Sequence, residues 1–120
     1  MFAQGSLLAQ MDLDDTDITV LFTATMRTEV TRIQVVNTTS NDSSFRLYHR
    51  VEDGDVDSSN ALMYNQDVDG HSHYMHASPG AGSGIMMSPG DRLAVKAADA
   101  DRLMINIYGI TVDRTGQSNG

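Results

Sequence analysis

A two-residue rhythm of side chains runs through most of this chain, and it constrains the fold more than any other feature. In TEVTRIQVVNT (28–38), Val30, Arg32, Gln34 and Val36 fall on one side of an extended backbone, and Glu29, Thr31, Ile33, Val35 and Asn37 on the other. Side chains that alternate in this way belong to a β-strand, here buried mainly through Ile33 and Val35. Similar runs are DITVLFTA (17–24), SFRLYHRV (44–51), NALMYNQ (60–66), GIMMS (84–88), DRLAVKA (91–97) and RLMINIYGITV (102–112). No stretch carries a convincing helical period.

Two of these runs carry further information. SFRLYHRV puts Phe45, Leu47, His49 and Val51 on one face and Arg46, Tyr48 and Arg50 on the other, with His49 the one polar exception on the apolar side. In RLMINIYGITV both faces are apolar-rich, which predicts a central strand. Gly109 inside that strand predicts a bulge or a close backbone approach.

Between the runs lie clusters of turn-forming residues: NTTSNDSS (37–44), EDGDVDSSN (52–60), DVDGHSH (67–73), SPGAGSG (78–84), SPGD (88–91) and AADAD (97–101). Short strands at this spacing predict an all-β fold, an antiparallel β-sandwich of jelly-roll type with seven or eight strands. Residues 1–12 are expected to form an N-terminal arm or edge strand, 13–113 the sandwich and 114–120 a flexible tail. A length of 120 residues fits one such domain. With no tryptophan and few aromatics, its core must come from Val, Ile, Leu and Met.

Charge and cysteine content narrow the function. The formal net charge is -8, and the eight basic residues are scattered along the chain, which predicts no patch able to neutralise a phosphate backbone and no nucleic-acid partner. There are no cysteines, so neither a disulfide framework nor a thiolate metal site is available. No run approaches the ~18 apolar residues of a membrane span. The N-terminus has no basic stretch and an interrupted apolar run, so it does not read as a signal peptide.

The order of elements resembles small β-sandwich virion proteins of tailed bacteriophages. The residues that carry the resemblance are Glu29, Val30, Thr31, Ile33, Val35 and Asn37; Phe45, Leu47 and Tyr48; Pro89, Gly90, Asp91, Leu93, Val95 and Lys96; and Ile105, Ile107, Gly109, Ile110 and Thr111. It covers roughly residues 16–112, with one departure, TATMRT in place of a Pro-Ala-Gly before the second strand.

What the resemblance implies is a non-enzymatic virion structural protein, foremost a capsid decoration (cement) protein. Such a protein is made in the host cytoplasm and acts on the capsid surface as a homotrimer, with the major capsid protein as its partner. A tail, neck or head-fibre component is the alternative within that class. From another class, a carbohydrate-binding module is weakened by the missing tryptophan. The surfaces expected to meet a partner are the arm, through Phe2, Leu7, Leu8 and Met11, and the methionines Met86 and Met87.

Sites with chemistry of their own are few, and neither a catalytic residue nor a cofactor is expected. GHSHYMH holds three of the four histidines. If extended, it puts His71 and His73 on one face and His76 on the other, so one chain offers two imidazoles, too few for a tetrahedral zinc site. Around a threefold axis, three His71/His73 pairs would supply six nitrogens. An exposed polar loop is nevertheless the expected state of this segment.

Asp53, Asp55 and Asp57 have the spacing of half a calcium loop, but Ser58 stands where glycine is required and Tyr64 where the bidentate glutamate belongs. The glycines of SPGAGSG lack the Lys-Ser/Thr of a phosphate loop. No Gly-x-Ser-x-Gly elbow is present.

Overall fold

With no helix to cover it, the apolar side of an alternating sheet is buried by laying a second sheet against it. The computed structural model describes residues 6–50, 61–78 and 84–112, and within them the chain forms nine strands and no helix. These are β1 (Ser6–Leu13), β2 (Thr19–Thr23), β3 (Arg27–Asn37), β4 (Ser43–Arg50), β5 (Ala61–Val68), β6 (Ser72–Ala77), β7 (Ile85–Met87), β8 (Arg92–Ala97) and β9 (Leu103–Val112). All pairings are antiparallel. One sheet, here sheet A, runs β1-β9-β3-β6, with β7 also pairing with β3; the other, sheet B, runs β2-β8-β4-β5.

The inner faces are the apolar sides of the alternation. In sheet A, Ile33 lies opposite Ile107 and Val35 opposite Ile105. In sheet B, Leu47 lies opposite Val95 and Phe45 opposite Ala97. None of these eight is more than 1% exposed, and burial of each large one is worth about 1.5–3 kcal/mol. Tyr74 of β6 meets Phe45 edge to face at 5.8 Å, tying the rim of sheet A to the centre of sheet B.

β9 sits between β1 and β3, as its two apolar faces predict. The register slips against β3 between Gly109 and Tyr108, and against β1 between Tyr108 and Ile107. A Cβ at Gly109 would stand 2.3 Å from the Glu29 carbonyl oxygen and 2.7 Å from a Leu8 methyl, so glycine is required by the close approach.

Turn chemistry closes the ends. Asn37 is 1% exposed, yet its amide is fully used. Nδ2 donates to the carbonyls of Asn41 (2.7 Å) and Val68 (3.1 Å), and Oδ1 accepts from the Thr39 N–H (3.0 Å) and hydroxyl (2.7 Å). At the other end Ser88–Pro–Gly–Asp91 turns through Gly90 at φ 94°, with the Asp91 N–H donating to the Ser88 carbonyl at 3.0 Å. Proline second and glycine third is what a turn with a left-handed third residue needs.

Two sequence expectations change. The histidine segment is not a loop: Ser72–Ala77 is a strand on the rim of β3, pairing Arg32–Asn37. Its inward side carries only Tyr74 as an apolar residue, too weak a signal to stand out in the sequence. Met87 is not a surface residue: it faces inward from β7 opposite Thr28 and is 1% exposed. Phe2, the acidic run with Asp53, Asp55 and Asp57, the glycines of 79–83 and the tail 114–120 lie outside the described residues.

Candidate functional site

The histidines are placed differently from a simple extended segment. His71 precedes β6 in a turn, at φ 55°, and its N–H donates to the Thr39 carbonyl at 2.8 Å. His73 stands on the outer face of sheet A opposite Val36, whereas His76 lies opposite the buried Ile33. His71 and His73 nevertheless line one open groove of about 380 Å³ with Gln34, Val36, Asn37, Thr38 and Ser72. Among the described residues no three His, Cys, Asp or Glu side chains gather to hold a metal ion.

The fourth histidine explains its own anomaly. His49 Nε2 is 2.9 Å from Asp91 Oδ2, with side-chain exposures of 22% and 8%. The same carboxylate oxygen accepts the Ser88 N–H at 3.0 Å. The polar residue on the apolar face of β4 is therefore a clasp that fastens this strand to the β7–β8 turn. Ser88 reaches the carboxylate through its backbone, so these three residues are not arranged as a nucleophile, base and orienting acid.

The surface residues expected to meet a partner separate into two groups. Leu7 (51%) and Met86 (42%) are exposed. Leu8 and Met11 are partly buried and pack against the core, Met11 opposite Ile105. On the outer face of sheet A, Gln10, Asn106 and Gln34 join across β1, β9 and β3: Gln10 Nε2 donates to Asn106 Oδ1 at 2.8 Å, and Asn106 Nδ2 to Gln34 Oε1 at 3.5 Å. Beside this row Arg32 stacks on Tyr108, 4.2 Å from the ring centroid.

Sheet B presents what the linear sequence conceals. Arg46 and Arg50 of β4 are four residues apart and so share the outer face, as do Arg92 and Lys96 of β8. The register sets Arg46 directly opposite Lys96 and Arg50 directly opposite Arg92. Four of the chain's eight basic residues thus stand as two cross-strand like-charge pairs on one face. This corrects the expectation of scattered charge: two strands that are 42 to 50 positions apart in sequence become neighbours.

Like charges directly opposite destabilise a sheet. Arg46 is held in place there, its Nε donating to Asn65 Oδ1 at 2.7 Å and its guanidinium 4.1 Å from the centroid of the exposed Tyr64. Asn65 itself adopts φ 53° at an irregularity of the β4–β5 ladder.

The acidic residues concentrate elsewhere. One end of the sandwich carries the β1–β2 connection (Asp14, Asp15, Asp17), the β3–β4 connection (Asp42), the β5–β6 connection (Asp69) and the β8–β9 connection (Asp99, Asp101). Asp12 and Asp67 sit in the adjoining strand ends. That is nine of sixteen acidic residues, all exposed except the half-buried Asp99. Among the described residues the one Lys or Arg in these connections is Arg102, 3.4 Å from Asp99. Among the described residues, acidic side chains thus gather at one pole and four basic ones on the outer face of sheet B.

Sequence reasoning missed this pairing of surfaces. The spacing of four within SFRLYHR and within RLAVK was the available signal for each strand, but the adjacency of β4 and β8 was not. Among the described residues no helix is long and apolar enough to cross a membrane. Comparison with known proteins returns no matching family model, no matching curated protein and no matching solved structure.

Proposed function

We propose that the chain is a non-enzymatic structural component of a tailed-phage virion, a capsid decoration protein that binds the outer surface of the head and stabilises it. The observation that carries the reading is where the phage-like segments fall. They are β3, β4, β8 and β9, the two inner strands of each four-strand order, with the Pro-Gly turn that leads into β8. The resemblance thus rests on the frame of the sandwich, while the rims, outer faces and acidic pole are free to differ between proteins that dock on different lattices.

The sheet orders β1-β9-β3-β6 and β2-β8-β4-β5 support reading that frame as a jelly roll with β7 as a short addition, an architecture shared by capsid and lectin domains. Repeated weak contacts from many copies would sum to firm attachment. A homotrimer is the expected unit, and the major capsid protein the partner.

Quantitative mass spectrometry of gradient-purified particles of the encoding phage tests the assignment. The chain is expected at a copy number in fixed ratio to the major capsid protein. Its absence from intact particles overturns the proposal, and a few copies per particle would move it to the neck or tail.

A further inference from the structure

We infer that the basic outer face of sheet B is a docking surface for the acidic pole of a second copy of this chain. The inference deepens the self-assembly part of the proposed function and rests on it there alone, because it concerns the purified chain without any capsid. Its ground is charge complementarity carried by a single molecule. On one side are Arg46, Lys96 and Arg92, half-buried along their stems, which cover the outer face across two strands. On the other side are Asp12, Asp14, Asp15 and Asp17, exposed together around a groove between β1 and the end of β8.

A chain of net charge -8 repels its own copies over most approaches. Bringing basic face to acidic pole is the approach that turns repulsion into attraction. It also relieves the cross-strand repulsion of Arg46 and Lys96 by placing carboxylates between them. Local rules are broken at functional surfaces more often than elsewhere. The two surfaces differ, so the contact is heterologous, and repetition of it closes a ring or extends a filament instead of stopping at a symmetric pair.

Tyr64 and Asn65 have a part in this. They fix the Arg46 guanidinium, which otherwise swings freely on its stem, and a positioned guanidinium can meet a carboxylate with two parallel hydrogen bonds.

Sedimentation velocity of the purified full chain at low and high salt provides the test, with two charge-reversed variants. One is Arg46→Glu/Lys96→Glu; the other is Asp14→Lys/Asp15→Lys. The wild type is expected to associate at low salt and to dissociate as salt rises. Each variant alone is expected to associate at least about tenfold more weakly.

Mixing the two variants is expected to restore association, since each then carries the surface the other needs. Circular dichroism confirms that the variants are folded, and Arg46→Gln/Lys96→Gln serves where the reversal is not. A wild type that stays monomeric at low salt overturns the inference, including one that is monomeric but binds a polyanion such as heparin. Association that is indifferent to the variants, or a mixture that stays apart, also overturns it. Uptake by capsids is a separate experiment, so failure of head binding and failure of self-docking can be told apart.

Discussion

Three residues hold positions that no neighbour in chemistry can take over. Gly109 lies so close to the Glu29 carbonyl that Gly109→Ala must push β9 and β3 apart where the register slips. Urea unfolding is expected to show a loss of about 2 kcal/mol or more, in the range of overpacked cores. Asn37→Ala removes the side-chain donor to the Val68 and Asn41 carbonyls and the acceptor of the Thr39 N–H. A loss of about 2–3 kcal/mol is expected by the same measurement, and Asn37→Asp is expected to cost at least as much, because it keeps the contact to Thr39 but turns a carboxylate oxygen toward the two carbonyls. His49→Ala removes one of the two partners of an 8%-exposed carboxylate and leaves the Ser88 N–H. Thermal unfolding is expected to fall by an amount equivalent to about 1–3 kcal/mol, with the far-ultraviolet spectrum of the sandwich unchanged. Of these positions, Gly109 was legible from a glycine in an apolar strand and Asn37 as a turn former. The partner of His49 was not, because Asp91 is 42 residues away.

At the scale of elements, the strands with the plainest alternation are those in the middle of the sheets. β3, β4, β8 and β9 each bury several large apolar residues, so one side of each is unmistakably apolar. Rim strands bury less, and their pattern is correspondingly faint. β6 was hidden because Ser72, His73, Met75 and His76 are all exposed, and β1 was readable only as an arm or an edge strand. The nine strands among the described residues, against seven or eight expected for the chain, follow from this weakness at the rims. The order of the strands within each sheet could not be read from alternation, which gives faces but not neighbours. The β4–β8 pair makes a prediction that separates stability from association. Lys96→Glu converts the like-charge pair with Arg46 into an opposite pair, so the isolated domain is expected to gain about 0.2–1 kcal/mol. Chemical denaturation at low protein concentration measures that gain, while self-association weakens in the same variant.

At the scale of the whole molecule, a two-sheet frame carries charge that is segregated among the described residues. Acidic connections crowd one end because four of the interstrand connections meet there, and basic residues share a face because strand alternation and antiparallel register bring them together. Surfaces divided in this way distinguish one approach from another. The most direct measurement is differential scanning calorimetry of expanded, undecorated phage heads with and without the purified chain. The account predicts saturable uptake and a higher temperature of head disruption. Heads that take up none of the chain, and melt at the same temperature in its presence, would contradict it.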